Sequence, residues 1–109
     1  MIGRLAHLLG AFAVATAAYA QTAPVPHEIR AHFACGEGKS IDATFVNGTA
    51  SSVRLTLSDG RTLSLPQARS GSGARYANGD ESFVFWNKGN TAFVEEGGKT
   101  TYADCVTDR

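Results

Sequence analysis

The sequence predicts an all-β domain of about eight short strands, folded as a small antiparallel barrel or the closely related sandwich. Three observations carry that expectation. Apolar residues recur with period two in one segment after another, the segments are separated by Gly, Asn, Asp and Pro turn signals, and no stretch keeps the 3.6-residue apolar period of a helix.

The chain has 109 residues, room for one domain. Residues 1–20 read as an export leader. Met1 to Arg4 is positively charged, Leu5 to Ala18 is almost wholly apolar, and Ala18-Tyr19-Ala20 fits the small-x-small rule for cleavage before Gln21. An apolar run of about 14 residues is too short to span roughly 30 Å of hydrocarbon, so the leader is expected to be removed. No cysteine precedes Cys35, so the cleavage point offers no lipid attachment site, and the mature protein is expected to have no membrane anchor. Residues 21–28, with Pro24 and Pro26, read as a flexible lead-in, and residues 29–109 as the folded domain.

Lys and Arg number 10 and Asp and Glu 10, and losing Arg4 with the leader leaves the acidic residues one ahead. That balance argues against a nucleic-acid partner, whose binders gather Lys and Arg on one face. Cys35 and Cys105 are the only cysteines. In an exported domain too small for a large core they are expected to pair, and closing a loop of about 70 residues stabilises the fold by roughly 4 kcal/mol in the chain-entropy account. A metal pair of Cys35 with His32 is the competing reading, but a closed zinc site needs four ligands and the only other histidine beyond the leader is His27. No metal or cofactor is expected.

The elements follow in order. Ile29, Ala31, Phe33 and Cys35 alternate with Arg30 and His32; after Gly36-Glu37-Gly38, Ile41, Ala43 and Phe45 alternate with Asp42 and Thr44 up to Asn47-Gly48. Asn47-Gly48-Thr49 also fits a glycosylation acceptor, though the turn explains it without modification. Val53, Leu55 and Leu57 form the next strand and Leu63 and Leu65 the one after. A two-residue Asp59-Gly60 loop would mix core and solvent positions on each face, whereas a three-residue Ser58-Asp59-Gly60 loop with Gly60 left-handed pairs Leu55 with Leu63 and Val53 with Leu65. The second arrangement is expected. Pro66-Gln67 ends that strand, and Ala74 to Tyr76 forms a short one before Asn78-Gly79. A hairpin from Ser82 to Glu95 follows; a bulged Asn87-Lys88-Gly89 loop would set Phe83 opposite Phe93 and Val84 opposite Ala92, with Lys88 at the tip. Gly97-Gly98 makes the last turn, and Thr100 to Cys105 returns to the first strand.

The stretch from Ser70 to Gly89 is the candidate functional region. Serines alternating with glycines in Ser70-Gly71-Ser72-Gly73 cannot pack as a strand interior and must be a shaped loop. Phe83 to Trp86 is a run of strong strand formers that ends at a turn containing Lys88. On turn chemistry alone Lys88 is a solvated lysine and Ser72 a hydroxyl that closes its own loop, and Tyr76 and Trp86 serve equally as core aromatics or contact residues.

Taken together, Cys35-Gly36, Leu55 to Arg61, Leu65-Pro66-Gln67-Ala68, Ser70 to Tyr76, Trp86-Asn87-Lys88-Gly89 and Cys105 strongly resemble the bacterial inhibitors of c-type lysozyme, across nearly the whole mature chain. The serine-glycine loop and the Trp-x-Lys-Gly turn are the specific parts. The stretch from Ser72 to Lys88, with Asp80-Glu81 in it, is slightly longer than in relatives. The resemblance implies an eight-stranded antiparallel barrel whose two loops enter the lysozyme cleft. It makes Ser72 and Lys88 the inhibitory pair, with Tyr76, Ser70, Gly73 and Gly89 around them, and c-type lysozyme the partner. Without a cysteine after Ala20 the chain resembles the soluble periplasmic branch rather than the lipoprotein branch.

Two other functions compete with this reading. A small hydrolase using Ser70 or Ser72 with Lys88 as base lacks any motif supplying an orienting or oxyanion group, so no enzyme activity is expected. A ligand-binding or glycan-binding barrel of the cell envelope is the alternative, but a barrel this small tends to fill with its own Leu, Val and Phe side chains.

Overall fold

The computed structural model describes residues 27–108; the expected leader and most of the lead-in lie outside them. The chain forms β1 (His27–Ala34), a short 3-10 turn (Gly36–Gly38), then β2 (Ser40–Asn47), β3 (Ser52–Leu57), β4 (Thr62–Ala68), β5 (Ala74–Ala77), β6 (Phe83–Lys88), β7 (Thr91–Glu96) and β8 (Lys99–Val106). Every neighbouring pair is antiparallel and the sheet closes into a barrel in chain order. β1 begins at His27, so the last two residues of the expected lead-in belong to the strand.

Inward positions follow the period-two pattern. Ile29 pairs with Phe45, Ala31 with Ala43 and Phe33 with Ile41, and the same face continues through Leu55 and Leu57 of β3 to Leu65 of β4. The barrel is filled by an aromatic cluster. Phe85 lies 6.0 Å from Phe33, 6.2 Å from Phe45 and 6.2 Å from Tyr76, and Phe45 lies 5.8 Å from Tyr76. Ile41, Val53, Leu55, Leu57, Leu65 and Val94 close around it, all fully buried. Each such side chain contributes about 1.5–3 kcal/mol of transfer free energy. The interior therefore belongs to the protein's own side chains and is not a ligand cavity.

The β3–β4 hairpin has the expected register, Val53 with Leu65 and Leu55 with Leu63. Its loop closes through Leu57 N–H to the Arg61 carbonyl (2.9 Å) and Gly60 N–H to the Leu57 carbonyl (2.9 Å), with Gly60 at φ 97. The β6–β7 hairpin differs from expectation. Its loop is the two-residue Gly89-Asn90 turn, so Lys88 pairs with Thr91 at the strand end, Phe83 sits opposite Glu96 rather than Phe93, and Val84 opposite Glu95 rather than Ala92. Gly89, at φ 58, supplies the left-handed residue that a primed two-residue turn needs first. The parity change puts Phe93 and Trp86 on the outer face. The reason is volume: with six large aromatics in the core, Phe33, Phe45, Tyr76, Phe83, Phe85 and Tyr102, β7 turns inward only Ala92 and Val94.

β8 contains an irregularity with a purpose. Ala92 pairs with Cys105 but Val94 with Tyr102, so Ala103 and Asp104 together oppose Phe93, with Asp104 at φ 54. That bulge resets the alternation and turns both Tyr102 and Cys105 inward. Cys105 meets Cys35 in a disulfide, as expected. The seam between β1 and β8 is otherwise narrow, a single pair of Ala34 with Val106. Removing the bridge with Cys35→Ser and Cys105→Ser together should therefore cost about 4 kcal/mol and lower the melting temperature by roughly 15–30 °C. A melt within a few degrees of wild type would contradict a seam that depends on it.

A second cross-barrel tie lies where the β3–β4 and β7–β8 turns meet. Arg61 donates to both Glu96 carboxylate oxygens, at 2.7 and 3.0 Å, and its Nε donates to Asp59 at 2.9 Å, while Thr101 Oγ1 donates to Glu96 at 2.7 Å. Arg61 holds the Glu96 carboxyl below the ordinary carboxylate range, with Thr101 adding to the shift against partial burial; it holds Asp59 low as well. A folded-state pKa below the unfolded value gives stability that is complete above the unfolded value of about 4.3 for Glu and is lost as pH falls through the folded one. Thermal melts from pH 6 downward should thus show a fall in stability below about pH 5 that is shallower in Glu96→Gln. Parallel curves for the two proteins would contradict the assignment.

Candidate functional site

The loop between β4 and β5 and the turn between β6 and β7 emerge at the same end of the barrel, and Gly73 brings them together. Gly73 has φ 71, and a Cβ placed on it would stand 2.8 Å from the Asn87 carbonyl oxygen and 3.2 Å from Lys88 Cβ. Only a residue without a side chain lets the two backbones approach this closely. Ser72 and Lys88, distant in sequence, thereby line one shallow cavity of about 290 Å³ with Trp86, Asn87, Thr91, Ala92 and Phe93.

Each loop is held by its own hydrogen bonds. The Ser70 hydroxyl donates to the Ser72 carbonyl (2.8 Å) and accepts from Ser72 N–H (3.3 Å). The loop-closing role that turn chemistry offered to Ser72 is thus filled by Ser70. The Lys88 turn is braced by Asn87, whose Nδ2 donates to the carbonyls of Gly89 (3.2 Å) and Thr91 (3.0 Å), and by Thr91 Oγ1, which donates to the Lys88 carbonyl at 2.9 Å. Thr107 N–H donates to the Asn90 carbonyl at 2.9 Å, tying the end of the chain to the same turn. Both Ser72 and Lys88 are exposed. Among the described residues, neither the Ser72 hydroxyl nor the Lys88 ammonium has a side-chain hydrogen bond or ion pair. A cation and a hydroxyl, each on a rigid mount, are left free for an external acceptor.

Ser70, Ser72, Gly73, Lys88 and Gly89 are therefore brought to one place, as mount or as presented group. Tyr76 is not. It is 4% exposed and packs against Phe45 and Phe85 inside the barrel, where burial raises its phenol pKa. It points inward because Gln67 and Ala68 of β4 pair with Tyr76 and Arg75, fixing the alternation of this short strand. The structure decides between the two roles left open for Trp86 and adds Phe93 and Arg75, which the sequence reading did not assign to the site. Trp86 and Phe93, opposite each other across β6 and β7, stack with centroids 5.8 Å apart at 14°, and the Arg75 guanidinium sits 5.6 Å from the Trp86 ring centroid. The Trp86 indole N–H donates to Glu95 at 3.1 Å. Only the correct hairpin register could have revealed this outer stack. No cluster of three or more His, Cys, Asp or Glu suited to a metal occurs among the described residues.

The fold and this site define a small, side-chain-filled, disulfide-closed barrel that presents a preformed cation and hydroxyl over an apolar patch at one end. Residues 33–102 match the family described as membrane-bound lysozyme-inhibitor of c-type lysozyme, and the chain belongs to that family. It is 43% identical over 74 residues to the membrane-bound lysozyme inhibitor of C-type lysozyme of Yersinia enterocolitica serotype O:8 / biotype 1B (strain NCTC 13174 / 8081). The match covers 68% of this chain and 59% of that relative's length. No solved structure matches it.

The geometry at Gly73 is directly testable. Gly73→Ala combines a left-handed backbone, costing about 1–2 kcal/mol, with a contact that must push the loop away from Lys88. It should lower the melting temperature by several degrees, whereas Gly71→Ala, where nothing lies within 4 Å, should be nearly neutral. Equal melts for the two variants would contradict the close approach.

Proposed function

We propose that this chain is an exported, periplasmic inhibitor of a c-type lysozyme and acts by inserting the Ser70–Gly73 loop and the Lys88 turn into the enzyme's cleft. The observation that carries this reading is the juxtaposition of Ser72 and Lys88 by Gly73, with the Ser72 hydroxyl and the Lys88 ammonium unengaged among the described residues. Family membership and the name of the Yersinia relative point to the same partner.

The chemistry is complementary. Lysozyme works with one carboxyl kept protonated as general acid and another ionised as nucleophile or electrostatic stabiliser. An ammonium delivered between them pairs with the carboxylate and favours ionisation of the acid, removing the proton that the reaction needs. A serine hydroxyl both donates and accepts, so Ser72 bonds a carboxyl in either state. The loops themselves occupy the space of the sugar. Rigid mounts keep the entropic cost of binding low. The Ser70 hydroxyl is engaged by the Ser72 backbone, and the family is described as inhibitors; both favour an inhibitor over a hydrolase. The filled interior likewise disfavours a ligand-carrying barrel.

Truncating one partner of a desolvated charge pair costs about 2–5 kcal/mol, and losing a hydroxyl bonded to a charged group about 1.5–3 kcal/mol. Lys88→Ala should weaken lysozyme inhibition by roughly 30-fold to several thousand-fold, and Ser72→Ala by less. The two should be non-additive in a double-mutant cycle, by at least about 0.5 kcal/mol, because both address one carboxyl pair. Melting temperatures should stay at the wild-type value. Inhibition constants and melts for the four proteins check this; full inhibition by Lys88→Ala at wild-type concentrations would sink the mechanism.

A further inference from the structure

Resting on the lysozyme reading above, we infer that Phe93, backed by Trp86, is the apolar half of the partner surface. It takes the hydrophobic wall against which a c-type lysozyme keeps its general acid protonated. Phe93 is one of two large apolar side chains exposed among the described residues, at 37%, the other being Val106 at 53%. The two are not equivalent. Phe93 lines the same cavity as Ser72 and Lys88, whereas Val106 lies outside it.

The ring is also preorganised. Phe93 stacks nearly parallel on Trp86, whose ring carries the Arg75 guanidinium and whose N–H is fixed on Glu95; Arg75 in turn pairs with Glu81. An aromatic held this way loses little freedom on binding, and rigid aromatics beside a charged anchor dominate interface energetics. The cavity is thus two-sided, with a hydroxyl and a cation on one side and the Phe93 and Trp86 rings as its apolar part.

The proposed partner is two-sided in the same sense. A general acid whose pKa is raised sits in apolar surroundings against an indole, while the second carboxylate sits in polar, hydrogen-bonded ones. Setting Lys88 and Ser72 toward the carboxyls brings the adjoining apolar part toward the wall beside the acid. A cleft with both carboxyls in polar surroundings would leave Phe93 facing water or unpaired polar groups, so this ring makes the surface selective for an enzyme with a desolvated acid.

The test compares wild type, Phe93→Thr, Thr56→Ala and Lys88→Ala for inhibition of a c-type lysozyme at low and high ionic strength, with a melt for each. Thr keeps a strand former in β7. Phe93→Thr should weaken inhibition about 10- to 100-fold, by the same factor at both ionic strengths, because the lost contact is apolar. Lys88→Ala should show a factor that shrinks with salt. Thr56→Ala, on the exposed face of β3 and away from this cavity, should match wild type. Hydroxyl-radical footprinting of the unmodified protein gives a readout independent of folding: bound lysozyme should protect Phe93 and leave Leu63, part-exposed on β4 and outside this cavity, reactive. Phe93→Thr inhibiting as wild type does, or Phe93 oxidising equally in the free and bound states, overturns this inference while leaving the Lys88 mechanism standing. Wild-type protein that leaves lysozyme fully active overturns both.

Discussion

The Cys35–Cys105 disulfide is the constraint on which the remaining geometry rests. A sheet becomes a barrel only when its first and last strands meet, and here β1 and β8 share a single backbone pair, Ala34 with Val106. The bridge lies beside that pair and holds the seam closed. Its influence reaches the functional end directly. Cys105 pairs with Ala92, Val106 with Thr91, and Thr107 donates to Asn90, so the residues that follow the bridge form one wall of the Lys88 turn. The bulge at Ala103 and Asp104 is what lets a strand with Tyr102 in the core also point Cys105 inward.

The site follows from two packing decisions made in the interior. Phe33, Phe45, Tyr76, Phe83, Phe85 and Tyr102 fill the barrel, which leaves room on β7 only for Ala92 and Val94 and sends Phe93 outward onto Trp86. The same register puts Lys88 at the end of β6, where Asn87 and Thr91 can brace it. Gly73 then sets how close the serine loop comes. Polar and apolar parts of the surface are consequences of one hairpin alignment.

Much of this was legible in the sequence, and the failures have physical causes. The strands with clean alternation, from Ile29 to Leu65, carried their register on their face pattern, and Gly60 identified the β3–β4 loop. Phe83 to Trp86 has no alternation: every residue is bulky and apolar, so pattern alone could not say which pair faced in, and the Asn-Lys-Gly signal overlaid a Gly-Asn turn one step later. The parity error that resulted hid Phe93. Tyr76 was grouped with the site on the strength of resemblance, but the β4–β5 pairing turns it into the core. Ser72 and Lys88 were named from resemblance too. What no pattern could supply was the contact that joins them, because it depends on two backbones meeting at Gly73.

In the proposed mode, a lysine on a fixed turn meets a protonated catalytic acid and its ionised neighbour. Proton linkage tests this most directly. Calorimetric titration of lysozyme with the protein near pH 5, in buffers of different ionisation enthalpy, counts the protons exchanged on binding. Release of about one proton is expected as the acid ionises beside the ammonium, and none with Lys88→Ala. Tight binding with no proton released, or with proton uptake, would contradict it.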